Sequence, residues 1–286
     1  MSGQIYFPVF DPSSDRRTYD IYVVDLASGE REIMLGHASQ PALSSNGRRL
    51  AYRSWAIESR GIRVRELSGE NTWAWVSFHE AEHPSWSPDN LNLVFSSQQE
   101  ADRGWRLYRT WGLLTEKVER QGGDIYGRVP TWSIDGRVIY WECPLGDCGL
   151  HAILPDGTGL VRLTKSEHDT APAVSPDGSN VAFMSTRDGN WEIYVVGAYP
   201  TSPDPETPKR LTTNEGRDGL PTWSPDGQWI AFASDRGGTW AVWAMRPNGS
   251  GKQKLFELGG PLMGEVANIP PAEQHGWTWE TLAWGE

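Results

Sequence analysis

LPTWSPDGQWIAFA, residues Leu220 to Ala233, decides the fold, because close relatives of this stretch recur along the whole chain. They are QPALSSNGRRLAYR (Gln40 to Arg53), HPSWSPDNLNLVFS (His83 to Ser96), VPTWSIDGRVIYW (Val129 to Trp141) and APAVSPDGSNVAFM (Ala171 to Met184). Each reads as strand, turn, strand. Pro opens the first strand, where a missing N–H costs no ladder bond. Ser-Pro-Asp-Gly then turns the chain: Pro presets φ, Asp can bond the local backbone and Gly accepts positive φ. A run such as Ile230-Ala231-Phe232 follows, with the β-branched and aromatic character of a packed strand. The motif is therefore scaffold, not active site.

The two ends of the chain supply a sixth unit. Leu282-Ala283-Trp284-Gly285-Glu286 reads like Pro221 to Pro225, and Gly3-Gln4-Ile5-Tyr6-Phe7 reads like Gln228 to Phe232. The second-strand aromatics are then Phe7, Tyr52, Phe95, Tyr140, Phe183 and Phe232, at intervals of 43 to 49 residues, with 61 across the join. A period near 45 residues holding four short strands marks a propeller blade. Third strands are expected at Asp20 to Asp25, Gly61 to Glu66, Trp105 to Arg109, Leu150 to Leu154, Trp191 to Val196 and Trp240 to Met245. Weaker fourth strands are expected at, for example, Leu160 to Thr164 and Lys209 to Thr213. The expectation is an all-β, six-bladed β-propeller with four-stranded antiparallel blades. Residues 1–286 form one domain, closed by a split blade that combines both termini and removes the free edges.

The units PTWSPDG…IAFASDRGG and PAVSPDG…VAFMSTRDGNWEIYVV, followed by LPDGTGLVRLT, resemble the WD40-like (PD40) repeats of the TolB-like six-bladed propellers. The resemblance covers essentially the whole chain. It implies the fold far more than a function, since propellers of this type serve as binding scaffolds, as enzyme caps and as enzymes. The family's namesake also carries an N-terminal α/β domain with no counterpart in these residues, so its own partners do not carry over.

Composition narrows the partners. The formal net charge is -11, from 26 Lys and Arg against 37 Asp and Glu, which argues against nucleic acid, whose phosphates are bound through basic residues. No apolar run approaches a membrane span, and MSGQIYFPVF lacks the charged-then-apolar pattern of a signal peptide.

In a propeller, the loops after the second strand share a face with those leading into the innermost strands. That face gathers Asp11 to Tyr19, Trp55 to Arg60, Gln98 to Gly104, Cys143 to Cys148, Arg187 to Asn190 and Asp235 to Thr239. It varies in every blade, whereas the opposite face repeats the Ser-Pro-Asp-Gly turn, and variable loops on a rigid scaffold are where binding resides. His37, Glu80, Tyr126, His168, Arg217 and Thr278 occupy one repeated place there, as a polar ring at a channel mouth; loop polarity alone is the simpler explanation. The candidate ligand-binding residues are His37, Trp55, Glu80, His83, Tyr126, His168, Asp218, Trp277 and Trp279. The aromatics would serve as anchors or instead pack between blades. His37 and His168 would need a third ligand such as Glu80 or His83 to hold zinc, and no metal or other cofactor is expected. His151 falls where other third strands carry Tyr22, Tyr108, Tyr194 and Trp243, and is expected to be packed.

Cys143 and Cys148, the only two cysteines, flank a strand-to-strand turn and are a candidate disulfide, favouring an extracytoplasmic home in the periplasm or at the cell surface. Two insertions break the repeat: the Pro-rich Tyr199 to Pro208, and Gly259 to Gly276, which is long enough to fold over the channel mouth. No Gly-x-Ser-x-Gly, His-Glu-x-x-His or P-loop motif occurs. The expected function is a non-catalytic scaffold for a protein or peptide partner. The alternatives are a polysaccharide-active lyase or hydrolase, or a carbohydrate-binding propeller.

Overall fold

The computed structural model describes residues 1–13, 17–69, 71–112, 114–121, 123–199, 207–267 and 276–286. Six four-stranded antiparallel sheets follow one another round a central axis. Blade 1 holds Gln4–Asp11, Thr18–Asp25 and Arg31–Leu35, with Ala283–Gly285 as its innermost strand. Blades 2 to 6 begin with innermost strands Ala38–Leu43, Glu82–Trp86, Gly127–Trp132, Asp169–Val174 and Asp218–Trp223 and run outward in chain order. The termini close the ring as the repeat requires: Ile5 pairs with Trp284 and Tyr6 with Ala283.

The Ser-Pro-Asp-Gly turn works through its side chains. In blade 6 the Ser224 hydroxyl donates to Asp226 Oδ1 at 2.5 Å and accepts the Trp229 N–H at 2.9 Å, while Asp226 Oδ1 accepts the Gln228 N–H at 3.0 Å. Ser175 and Asp177 repeat this in blade 5, and Ser44 with Asn46 in blade 2. The Ser hydroxyl and the turn N–H hold the Asp177 and Asp226 carboxyls below the usual range. Gly227 sits at φ 67, which a side chain would resist.

The core lies between blades. Second-strand aromatics stack on their third-strand partners: Phe7 on Tyr22, Phe95 on Tyr108 and Phe183 on Tyr194, with ring centres 5.9, 5.5 and 5.6 Å apart. Burying each such ring contributes about 1.5–3 kcal/mol. His151 takes the partner's place opposite Tyr140, and burial pushes its imidazole down to about 4, so it packs as a neutral ring.

Two details depart from the sequence reading. The fourth strands of blades 4 and 5 shrink to Val161–Arg162 and Lys209–Arg210, because hydroxyls replace ladder bonds there: Thr164 and Thr212 Oγ1 each accept a third-strand N–H at 2.9 Å. The prolines lie inside the innermost strands rather than opening them, and the residues before them (Gln40, His83, Val129, Ala171 and Leu220) are left-handed, at φ 48 to 54. Each marks a bulge where the innermost strand slips register against its neighbour, as between Arg128 and Thr131. Such backbone costs on the order of 1–3 kcal/mol at a non-glycine residue.

Candidate functional site

Each blade leaves the axis-facing edge of its innermost strand unpaired, and these six edges enclose a cavity of about 630 Å³ along the axis. It opens on the turn face, among Ser44 to Gly47, Ser87, Ser133, Pro176 and Pro225. Its floor is the ring of bulged residues His83, Val129, Ala171 and Leu220 together with Glu280. The wall is main-chain edge interrupted by prolines (Pro41, Pro84, Pro130, Pro172 and Pro221), each removing one donor. Trp86, Trp223 and Trp284 line it but are buried, their indole N–H groups donating to the carbonyls of Ala42, Ala173 and Ser2.

The loop face is closed, which corrects the expected position of the channel mouth. A 3-10 turn, Trp277–Trp279, fills it with the chain's own residues. Trp277 is buried against Trp191 and Trp240, ring centres 5.8 and 4.9 Å away. Gly219 makes room for it, since a Cβ there would lie 2.5 Å from the indole. The Trp279 carbonyl accepts Gln40 Nε2 at 2.9 Å and lies 2.9 Å from His83 Nε2. The Arg128 guanidinium stands 3.4 Å from the centre of the Trp279 ring, and burial holds Arg128 down to about 10. Of the Gly259 to Gly276 insertion, residues 268–275 lie outside the described residues. The preceding part packs on blade 1: the Phe10 N–H donates to the Pro261 carbonyl at 2.8 Å, and Val266 joins a buried cluster with Phe10, Tyr19 and Trp55. Most of the Pro-rich excursion, 200–206, also lies outside the described residues.

The candidate residues therefore divide. Trp55 is buried: it stacks on Tyr19, donates to Ser39 Oγ at 2.9 Å and lies beneath Arg53, so neither it nor Trp277 is a presented anchor. Asp218 is fully buried in an ion pair with Arg236 at 2.7 Å, matched one blade earlier by Asp169 with Arg187. His83 is buried, its Nδ1 3.3 Å from Glu82. His37 is half-buried and left-handed, its carbonyl accepting the Trp55 N–H. Glu80 pairs with Arg103 at 2.7 Å. Only Tyr126 and His168 stand exposed, Tyr126 with its hydroxyl held by Arg106 at 2.9 Å. Among the described residues no three His, Cys, Asp or Glu side chains are grouped to hold a metal ion, and His37, Glu80 and His168 lead into three different blades.

Sequence reasoning missed Glu280. Its carboxyl is buried beside Ser39 and the Gln40 N–H, and facing Tyr19, Arg53 and Glu82. Burial pushes it up to about 8, so it is a neutral acid at pH 7.

Cys143 and Cys148 meet across the loop over Pro144–Gly146, placed to be joined as a disulfide. In protein purified under air, alkylation without reduction is expected to label neither thiol, and the intact mass should rise by two hydrogens on reduction. Two alkylated cysteines in folded protein would remove the bond.

A family model for the TolB beta propeller domain, PD40, matches residues 154–265. A TolB homolog of Chlorobium luteolum is 31% identical over 114 residues, covering 40% of this chain and 26% of that protein. An uncharacterized protein of Agrobacterium fabrum is 32% identical over 205 residues, covering 71% of this chain and 66% of its own length. Among solved structures, TolB from Acinetobacter baumannii superposes with a TM-score of 0.78 at 18% identity, over 99% of this chain and 66% of that one. The chain thus spans about a quarter of the first relative and just under two thirds of the other two. No described helix is long and apolar enough to cross a membrane.

Proposed function

We propose that this chain, a six-bladed β-propeller similar to the TolB propeller domain, is a non-catalytic binding scaffold that receives a peptide segment of a protein partner in its axial well. The carrying observation is the well itself: about 630 Å³, blind at the loop face and open at the turn face. Its unpaired strand edges offer main-chain donors and acceptors between proline and Ser or Thr side chains, which suits an extended peptide. A sugar would need presented aromatic faces, and three of the four tryptophans that line the well, Trp86, Trp223 and Trp284, are buried, while the half-buried Trp132 donates its indole N–H to the Gly136 carbonyl. A glycosidase would need two carboxylates facing each other across the site; of the carboxylates here, Glu280 is buried in the floor and Glu286 lies at the rim. The placement of Cys143 and Cys148 for a disulfide supports an oxidising, extracytoplasmic compartment.

The test fills the well. Thr131→Trp with Thr222→Trp, both half-buried residues of its wall, is expected to abolish capture of the partner polypeptide from source cells. Tyr126→Ala with His168→Ala, on the loop face, should leave capture intact. Loss of capture only in the loop-face variant would return the site to that face. Turnover of a polyuronate by the wild type, lost on filling the well, would replace the scaffold by an enzyme.

A further inference from the structure

At one corner of the turn face, blade 3 holds three large apolar side chains in solvent: Leu91, Trp111 and Leu114 are 62%, 63% and 65% exposed. They are neighbours. Trp111 and Leu114 face each other across the hairpin between Arg106–Trp111 and Leu114–Lys117, and directly opposed residues project from the same side of a sheet. The Gly112 N–H donates to Asn92 Oδ1 at 3.1 Å, which docks this hairpin against the turn that carries Leu91.

The fold does not require apolar residues here. The same hairpin is built from Ala27-Ser28-Gly29-Glu30 in blade 1, Ser68-Gly69 in blade 2, Pro155-Asp156-Gly157-Thr158 in blade 4 and Pro247-Asn248-Gly249-Ser250 in blade 6. In the first turn, Leu91 stands where the other blades carry Arg48, Arg137, Ser179 and Gln228. A single exposed Leu needs no explanation, and on the turn face blades 4 and 5 expose, among the described residues, only Ile134 with Leu160 and Tyr199, but three large side chains massed on one hairpin and the adjoining turn mark a contact surface.

The surroundings define the partner. Exposed Asp89 accepts the Leu91 N–H at 2.9 Å, and exposed Glu116 stands two residues beyond Leu114, paired at 3.4 Å with Arg109, whose guanidinium also faces the Trp111 ring at 5.8 Å. The whole chain carries -11. We propose that this corner of blade 3 docks a basic amphipathic segment of a protein partner, an apolar stripe flanked by Lys or Arg. With Glu116 paired to Arg109, the rim charge left without an ion pair among the described residues is Asp89, and the larger repulsion of a second copy or an anionic bilayer comes from the net charge of -11. The surface is separate from the axial well and does not depend on its use.

The probe is a fluorescein-labelled 18-residue amphipathic helix of Leu and Lys, titrated at 0.1 M salt and followed by anisotropy. Its controls are the Leu and Glu counterpart and a Lys peptide in which Ser replaces Leu. Wild type should bind the first peptide at least about tenfold more tightly than either control, and Trp111→Ser with Leu114→Ser should weaken it by at least about tenfold. Leu145→Ser on the loop face should change nothing. Because these side chains are exposed, the variant should keep its circular dichroism and melting temperature. Equal binding by the variant, or by the Ser-containing Lys peptide, would overturn the proposal. So would a wild-type dimer in sedimentation, or co-sedimentation with phosphatidylglycerol vesicles, that Trp111→Ser abolishes.

Discussion

Deletion of residues 281–286 is expected to yield a protein that aggregates, or that melts about 10 °C or more below the full chain. The segment does three jobs at once. It forms the innermost strand of blade 1, pairing Gln4, Ile5 and Tyr6 with Gly285, Trp284 and Ala283. It ties blade 1 to its neighbour through Thr281 Oγ1, which donates to the Pro41 carbonyl at 3.0 Å. It also buries Leu282 and Trp284 between blades. Removing two such side chains alone forfeits several kcal/mol, at about 1.5–3 kcal/mol each, and for a chain of this size each kcal/mol shifts the melting temperature by roughly 2–4 °C. The newly bare edge of Gln4–Asp11 carries Ile5, Phe7 and Val9, a template for pairing with other chains. Calorimetry and light scattering at matched concentration decide it. A transition unmoved by the deletion would mean that the ring is held shut without this strand.

The ring closure was legible because its signals are local. Ser224, Asp226 and Gly227 make their turn with bonds that span five residues or fewer, so four letters of sequence suffice. The join of the termini followed from the same repeat split in two. The open end of the channel was not legible. What closes the loop face is Trp277 to Glu280, an entry loop whose two tryptophans have no counterpart in the entry loops of other blades, and its partners Gln40 and His83 lie about two hundred residues or more away. Trp55 and Trp277 illustrate the same limit: a tryptophan near a loop packs or projects according to neighbours such as Gly219 and Ser39, which periodicity does not connect to it. The left-handed Val129 ran against its residue type, since a β-branched residue before proline favours extended backbone. There the bulge at the channel floor overrides local preference.

Glu280→Gln should reverse the alkaline weakness of the protein. Glu280 is enclosed by the Ser39 hydroxyl, the Gln40 N–H, Tyr19, Arg53 and Glu82. Burial, the largest influence, lifts its carboxyl from 4.5 to about 8, and Glu82 adds to the lift while Ser39, Arg53 and the Gln40 N–H oppose it. Tyr19, itself raised far above its ordinary value by burial, brings no compensating charge. The sign follows from proton binding. Between the unfolded value of 4.5 and the folded value near 8, the folded state holds a proton that the unfolded state has released, so stability falls as pH rises. The contribution is fully present below pH 4.5 and gone above about 8, a span worth on the order of 5 kcal/mol. Glutamine keeps the size and the neutral state at every pH. The variant should therefore match wild type within about 1 kcal/mol near pH 5 and exceed it by several kcal/mol at pH 9. Urea titrations at the two pH values measure the difference directly. Parallel losses of stability in the two proteins between pH 5 and 9 would show that the carboxyl beside Trp279 ionises without penalty, and that the closed end of the well is not held shut by a neutral acid.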